Sequence, residues 1–229
     1  MSRVETIAEL EELYRAPNER VRTKKRDRLD GGTRAVLAAS PFVLLATSDG
    51  DGRCDVSPRG GPAGFVRVLD DRHVSVPDLN GNNLIDSLRN IVANPHAGLL
   101  ILVPGEHETL RIDGRAHLSV DTAVLDLFAE EVRRPVLAVI IRTDAVFTHC
   151  AKAFRRSQLW EPASWTWRNA RLSLAARYRQ LDVDVPFEDY VRQNAEVIDA
   201  DLAADRPEVP RAGTVDAAAS SRVRVEPQR

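Results

Sequence analysis

Between Pro41 and Cys150 the chain is cut into short apolar segments separated by turn signals, and that spacing limits the possible folds more than any other feature. PFVLLATS (41–48) is a continuous apolar run of strand length. The SDGDG that closes it is a hairpin turn signal, and GRCDVS (52–57) returns as a second strand. FVRVLD (65–70) alternates apolar and charged residues, as a strand with one wet face does, and HVSVPD (73–78) comes back after the Asp70-Asp71 turn. AGLLILVP (97–104) reads as a buried strand. ETLRIDGRAHLSV (108–120) reads as a longer one, with Leu110, Ile112, Ala116 and Leu118 on one side and Arg111, Asp113, Arg115 and His117 on the other. Gly114 in its middle predicts a bulge or a bend. VLAVIIR (136–142) and AVFTHC (145–150) close the set. About seven strands in roughly 120 residues, joined by hairpins with few long crossovers, predict a mainly β fold, an antiparallel barrel with peripheral helices.

Helical periodicity frames this region. Ser2 and Glu5 form a capping-box pattern ahead of Ile7, Leu10 and Tyr14, which predicts an N-terminal helix. TRAVLAAS (33–40) is a short helix ending near Pro41. A further helix is expected to open near Asn82, with Leu84, Ile85, Leu88, Ile91 and Val92 on one apolar face and Asn94-Pro95 as its stop. DTAVLDLFAEE (121–131) and CAKAFRRSQLW (150–160) also read as helices. Beyond Trp160, SWTWRNARLSLAARYRQL and FEDYVRQNAEVIDADLAA predict peripheral helices, and the Pro-, Ala- and Ser-rich tail predicts disorder. The expected division is an N-terminal extension (1–29), the barrel (30–160), a helical extension (161–205) and the tail (206–229).

A formal net charge of −2 argues against a surface built as a whole for nucleic acid. The basic stretch 18–34 reads as a solvated face. Cys54 and Cys150 make neither a disulfide framework nor a zinc pattern, so a reducing cytoplasm is expected. The charged N-terminus lacks the apolar core of a secretory leader, and the longest apolar runs are too short to cross a membrane as helices.

The stretch 57–94 reads as half of an anion site. Arg59 lies between Pro58 and Gly60-Gly61 on a constrained turn, and a guanidinium there suits bidentate contact with phosphate. Gly81 lets the backbone turn closely, while Asn82 and Asn83 offer amide donors at an expected helix start, where free N–H groups attract anions. A second basic group, His149, Lys152, Arg155 and Arg156, follows directly on a strand. No GxSxG elbow, HExxH, CxxC or GxGxxG occurs, and no histidine pairs with a second ligand at metal spacing. Binding groups without an evident acid, base or nucleophile fit a protein whose chemistry is carried by a cofactor.

Four ordered blocks carry a resemblance: DVSPRG (55–60), PDxxGNNxxDSLRNIxxNP (77–95), ETLRxxG (108–114) and HCAKAxxRSxLW (149–160). The chain resembles the pyridoxamine 5′-phosphate oxidase-like flavoproteins with the FMN-binding split β-barrel, and among them a bacterial branch of uncharacterised members. The resemblance implies an FMN-dependent oxidoreductase acting on a small molecule, and a homodimer with FMN at the subunit interface. By correspondence Val76 and Pro77 lie along the flavin, Asn82 and Asn83 meet its phosphate, and Ser57, Arg59 and Gly60 contribute from the adjacent strand. Thr109 matches the polar position that reaches the flavin from the other subunit. The related oxidases carry Arg-Lys where this chain has Asn82-Asn83, so Arg59, Lys152 and Arg156 are the candidates to meet the phosphate charge. Trp160, Trp165 and Trp167 are candidates to wall the pocket or to pack the C-terminal helices. Three alternatives stay open: a flavin-storing module, a split barrel holding haem through His149 or the deazaflavin F420, and a nucleic-acid-binding regulator acting through 20–34.

Overall fold

The structure is a computed structural model that describes residues 3–166, 171–181 and 183–207. Its centre is one seven-stranded antiparallel sheet in the order β2-β1-β5-β6-β7-β4-β3. The strands are β1 (Phe42–Ser48), β2 (Cys54–Gly60), β3 (Arg67–Val68), β4 (His73–Pro77), β5 (His96–Leu102), β6 (Thr109–Ser119) and β7 (Ala138–His149). Side chains from both halves of the sheet, among them Val43, Leu45, Leu99, Ile101, Ile112, Val74 and Ile141, share one core. The sheet therefore wraps around its apolar face, while β2 and β3 stay as unpaired edges and leave the barrel split.

The period of two explains the wrapping. Along β5, Ala97, Leu99 and Ile101 are buried while Gly98, Leu100 and Leu102 are half-buried on the outer face. The β6–β7 register shifts between Asp113 and Gly114, the bulge that Gly114 foretells. A side chain does not fit there, because a Cβ on Gly114 would stand 2.0 Å from the Arg142 carbonyl oxygen. FVRVLD is shorter as a strand than its alternation predicts: only Arg67 and Val68 pair with β4, and Phe65 and Val66 enter the core from a turn.

The helices are α1 (Ile7–Glu12), α2 (Glu19–Arg22), α3 (Gly31–Ala39), α4 (Asp86–Ala93), α5 (Thr122–Leu125), α6 (Lys152–Ser157), α7 (Leu172–Gln180) and α8 (Phe187–Ala204). The capping box of α1 is Thr6 with Glu9, one turn later than the Ser2–Glu5 pattern suggests. Both spellings are present in the sequence, and the one adjoining the helical run is used. Asp30 and Thr33 form a reciprocal box on α3.

Segment 23–29 is stitched to the barrel. Arg26 and Val146 exchange backbone hydrogen bonds of 3.0 and 2.6 Å, and Thr143 Oγ1 donates to the Asp27 carbonyl at 2.6 Å. Leu29 closes the segment inside the core. At the other end, α7 and α8 pack through Tyr178, Phe187 and Tyr190. The end of α8 is tied down by Asp205, whose carbonyl accepts from the Arg133 N–H at 2.7 Å and whose carboxylate accepts from the Asn80 N–H at 3.1 Å. Among the described residues no helix is long and apolar enough to cross a membrane. The expectations for Trp167 and for the tail beyond Pro207 fall outside the described residues.

Candidate functional site

Strand β2 is an edge strand, and alternation turns Ser57 and Arg59 to the inner side, level with Leu45 and Val43 of β1. Arg59 Nη1 meets Asp78 Oδ1 at 3.0 Å, with the two side chains only 20% and 21% exposed. Asp78 follows β4 directly, so this ion pair ties the free edge of β2 to the β4–α4 connection. Arg59 Nε is buried with no hydrogen-bond partner, an unmet donor beside a cavity.

That cavity has a volume of about 730 Å³ and three walls. Ser57, Pro58, Arg59 and Gly60 form the first, and Pro77 with Leu79, Asn80, Gly81, Asn82 and Leu84 forms the second. Helices α7 and α8 supply the third, with Arg177, Asn194, Val197, Ile198 and Asp201. The volume lies in the range of small-molecule sites, roughly 300–1,000 Å³. Six residues named from sequence, Ser57, Arg59, Gly60, Pro77, Gly81 and Asn82, thus converge on one space.

The loop of the second wall departs from the expectation. Helix α4 begins at Asp86, after Ile85, and not near Asn82. Asn82 Oδ1 accepts from the Leu84 N–H at 3.0 Å, and Asn83 takes a left-handed backbone at φ 57°, so both asparagines shape a turn ahead of the helix. The helix start itself carries the Asp86 carboxylate in its first turn, which already answers the dipole. The apolar face is correspondingly smaller: Leu88 and Ile91 are buried, while Leu84, Ile85 and Val92 are exposed. Asn83 lines a second, smaller cavity of about 310 Å³ on the far side of the loop, with Asp78, Arg133 and Arg134. The Val76 side chain is buried in the core and borders no described cavity, so only Pro77 of that pair reaches the site.

The remaining predicted residues lie elsewhere. Thr109 and His149 face each other across β6 and β7. They line a groove of about 430 Å³ on the outer face of the sheet, floored by Leu44, Ala46 and Leu100 and flanked by Arg111, Asp113 and Phe154. Lys152 and Arg156 are exposed on α6 and line none of these cavities. Trp160 stacks on Phe154 at 5.7 Å and donates Nε1–H to the Glu106 carbonyl at 2.7 Å, a packing role. Trp165 donates to the Leu159 carbonyl at 3.1 Å and is 48% exposed. Among the described residues no group of His, Cys, Asp and Glu side chains is arranged to hold a metal ion.

Residues 29–150, more than half of the chain, match the family model described as pyridoxamine 5′-phosphate oxidase. The chain belongs to this family. The seven-stranded split barrel with peripheral helices is the fold of this pyridoxamine 5′-phosphate oxidase-like member. Among solved structures, HupZ of Group A Streptococcus is similar at 15% identity and TM-score 0.44, over 52% of this chain and 93% of HupZ. A candidate pyridoxamine 5′-phosphate oxidase from Lactobacillus delbrueckii is similar at 22% identity and TM-score 0.43, over 55% and 99% of the two chains. An FMN-binding protein from Syntrophomonas wolfei is similar at 10% identity and TM-score 0.39, over 51% and 83%. No curated protein matches the chain. The matched family segment ends before α7 and α8, yet those helices wall the cavity. Sequence reasoning could not find Arg177, Asn194 or Ile198, because their place depends on how a peripheral hairpin docks.

Proposed function

We propose that this protein is an FMN-binding flavoprotein and an oxidoreductase acting on a small molecule, with the flavin held between two copies of the chain. One observation carries the reading. Eight of the twelve residues marked from sequence as a single ligand set line two separate places: Ser57, Arg59, Gly60, Pro77, Gly81 and Asn82 the cavity, Thr109 and His149 the groove on the outer face of the sheet. One ligand can use both groups when a second copy brings its outer face to the first copy's cavity. The outer groove, with Leu44, Ala46, Val56 and Leu100 facing solvent, offers the apolar surface for that contact.

The residues present fit FMN. The cavity is large enough, and the unmet Arg59 Nε is a donor that a carbonyl oxygen or ring nitrogen of the flavin would satisfy. Arg59 and the Asn82 amide would bind the ligand's polar groups, while Gly60 and Pro77 would flank its flat part. Val197 and Ile198 of α8 would keep water from it. When bound, FMN supplies hydride acceptance and electron transfer, and the protein supplies anchoring, orientation and enclosure. The exposed thiols of Cys54 and Cys150 suit a reducing cytoplasm.

The test is the purified protein itself. Flavin absorbance and a dimer in solution are expected; a haem Soret band or exclusive retention of F420 contradicts the assignment. Oxygen consumption with a reduced nicotinamide donor separates an enzyme from a flavin store.

A further inference from the structure

Three cationic side chains converge on one phenyl ring at the outer face of the sheet. Lys24 Nζ lies 5.1 Å, Lys25 Nζ 5.2 Å and the Arg111 guanidinium carbon 5.2 Å from the ring centroid of Phe147. The arrangement is built in. Phe147 is 7% exposed and stands opposite Arg111 in the β6–β7 register. The Arg26–Val146 bridge holds the lysines beside β7, and Lys24 Nζ donates to the Thr148 carbonyl at 2.9 Å. Among the described residues one carboxylate reaches the cluster, Asp113 at 3.3 Å from Arg111, which leaves an excess of positive charge.

The inner cavity shows the opposite balance. Its cations, Arg59 and Arg177, stand with Asp78 and Asp201, so a phosphate dianion there meets no net positive charge. Arg111 also lines the outer groove, on the same side of β6 as Thr109.

We propose that Lys24, Lys25 and Arg111 form a phosphoryl-binding site on the outer face, and that it takes the phosphate of the flavin lodged in the other copy's cavity. The second part rests on the FMN reading above; the first stands on the cluster alone. Several cations gathered on one ring suit a single phosphoryl group. A single-stranded nucleic acid is held along an extended basic groove with exposed aromatics on which bases stack, and Phe147 is covered.

The experiment uses the full chain and a Lys24→Gln/Lys25→Gln double variant, with Arg20→Gln/Arg22→Gln as a charge-matched control on α2. FMN, riboflavin and inorganic pyrophosphate are titrated, and the Phe147 ring protons are followed by NMR. We expect the double variant to lose roughly 10- to 100-fold in FMN affinity, the worth of a charge-assisted contact, with riboflavin unchanged. The control should bind FMN as the parent does. Equal loss for FMN and riboflavin, or no loss for either, overturns the proposal. If the parent binds no flavin but pyrophosphate shifts Phe147 only while both lysines are present, the FMN reading falls and the phosphoryl site stands. If neither flavin nor pyrophosphate binds, both fall. Retention of DNA that the double variant abolishes overturns the single-phosphoryl footprint.

Discussion

Asp78→Asn separates a flavin anchor from a purely structural ion pair. Arg59 and Asp78 are 3.0 Å apart and mostly covered. At an effective dielectric of about 20, their attraction is roughly 5 kcal/mol, most of it offset by the desolvation of both groups. Asparagine keeps the shape and an acceptor but removes the charge. Arg59, whose Nε already lacks a partner, is then free to offer its whole charge to the cavity. A charge-assisted hydrogen bond contributes about 1.5–3 kcal/mol. Asp78→Asn should therefore tighten FMN by about tenfold, and Arg59→Ala should weaken it by roughly 10- to 100-fold. Both variants should lose about 1–2 kcal/mol of stability, Arg59→Ala the more, because it strands a carboxylate. The assay is fluorescence-quench titration of the apoprotein with FMN, beside urea unfolding of each variant. If Asp78→Asn weakens FMN as far as Arg59→Ala does, the pair serves only to hold β2 to the loop and the anchor argument is wrong.

Other outcomes follow from the same structure. Gly114→Ala should cost about 3 kcal/mol in urea unfolding, since a methyl group cannot share space with the Arg142 carbonyl and the bulge must open; a cost under about 1 kcal/mol would mean that the bulge tolerates a side chain. Ile198→Asp should speed FMN release about tenfold while leaving the barrel's Tm unchanged, and an unaltered release rate would remove α8 from the site. The Asp30 carboxyl is held below the usual aspartate range, first by the Thr33 N–H and then by the Thr33 hydroxyl. A depressed folded value adds stability above the unfolded pKa of about 3.9, and that stability fades as pH falls through the lower folded value. Asp30→Ala should thus cost about 1 kcal/mol at neutral pH, with the Tm gap to the parent narrowing below about pH 4 and solvent screening keeping the pH-dependent part small.

The strands were legible because a split barrel imposes alternation, and β5, β6 and β7 carry it openly. Gly114 announced its bulge for the same reason: only a residue without Cβ fits. Helix α4 starts later than the periodicity suggests because Leu84 and Ile85 continue the helical spacing although they are exposed, and Asn83, in the left-handed backbone that asparagine tolerates, makes a turn ahead of the helix. The inner half of the site was legible as residue types on turns. Its partners were not: Asp78 reaches Arg59 only through the path of the loop, and α8 reaches the cavity only because Asp205 docks on Asn80 and Arg133. The stretch 18–34 reads as a solvated basic face, yet Lys24 and Lys25 lie on Phe147, since the Arg26–Val146 bridge has no signature in periodicity.

The central claim is that the cavity between β2, the 78–84 loop and α8 holds FMN. Mass spectrometry of the small molecule released on denaturing the purified protein tests it most directly. FMN at about one molecule per chain is expected. Release of haem or F420, or a protein that stays empty after incubation with excess FMN, would contradict it.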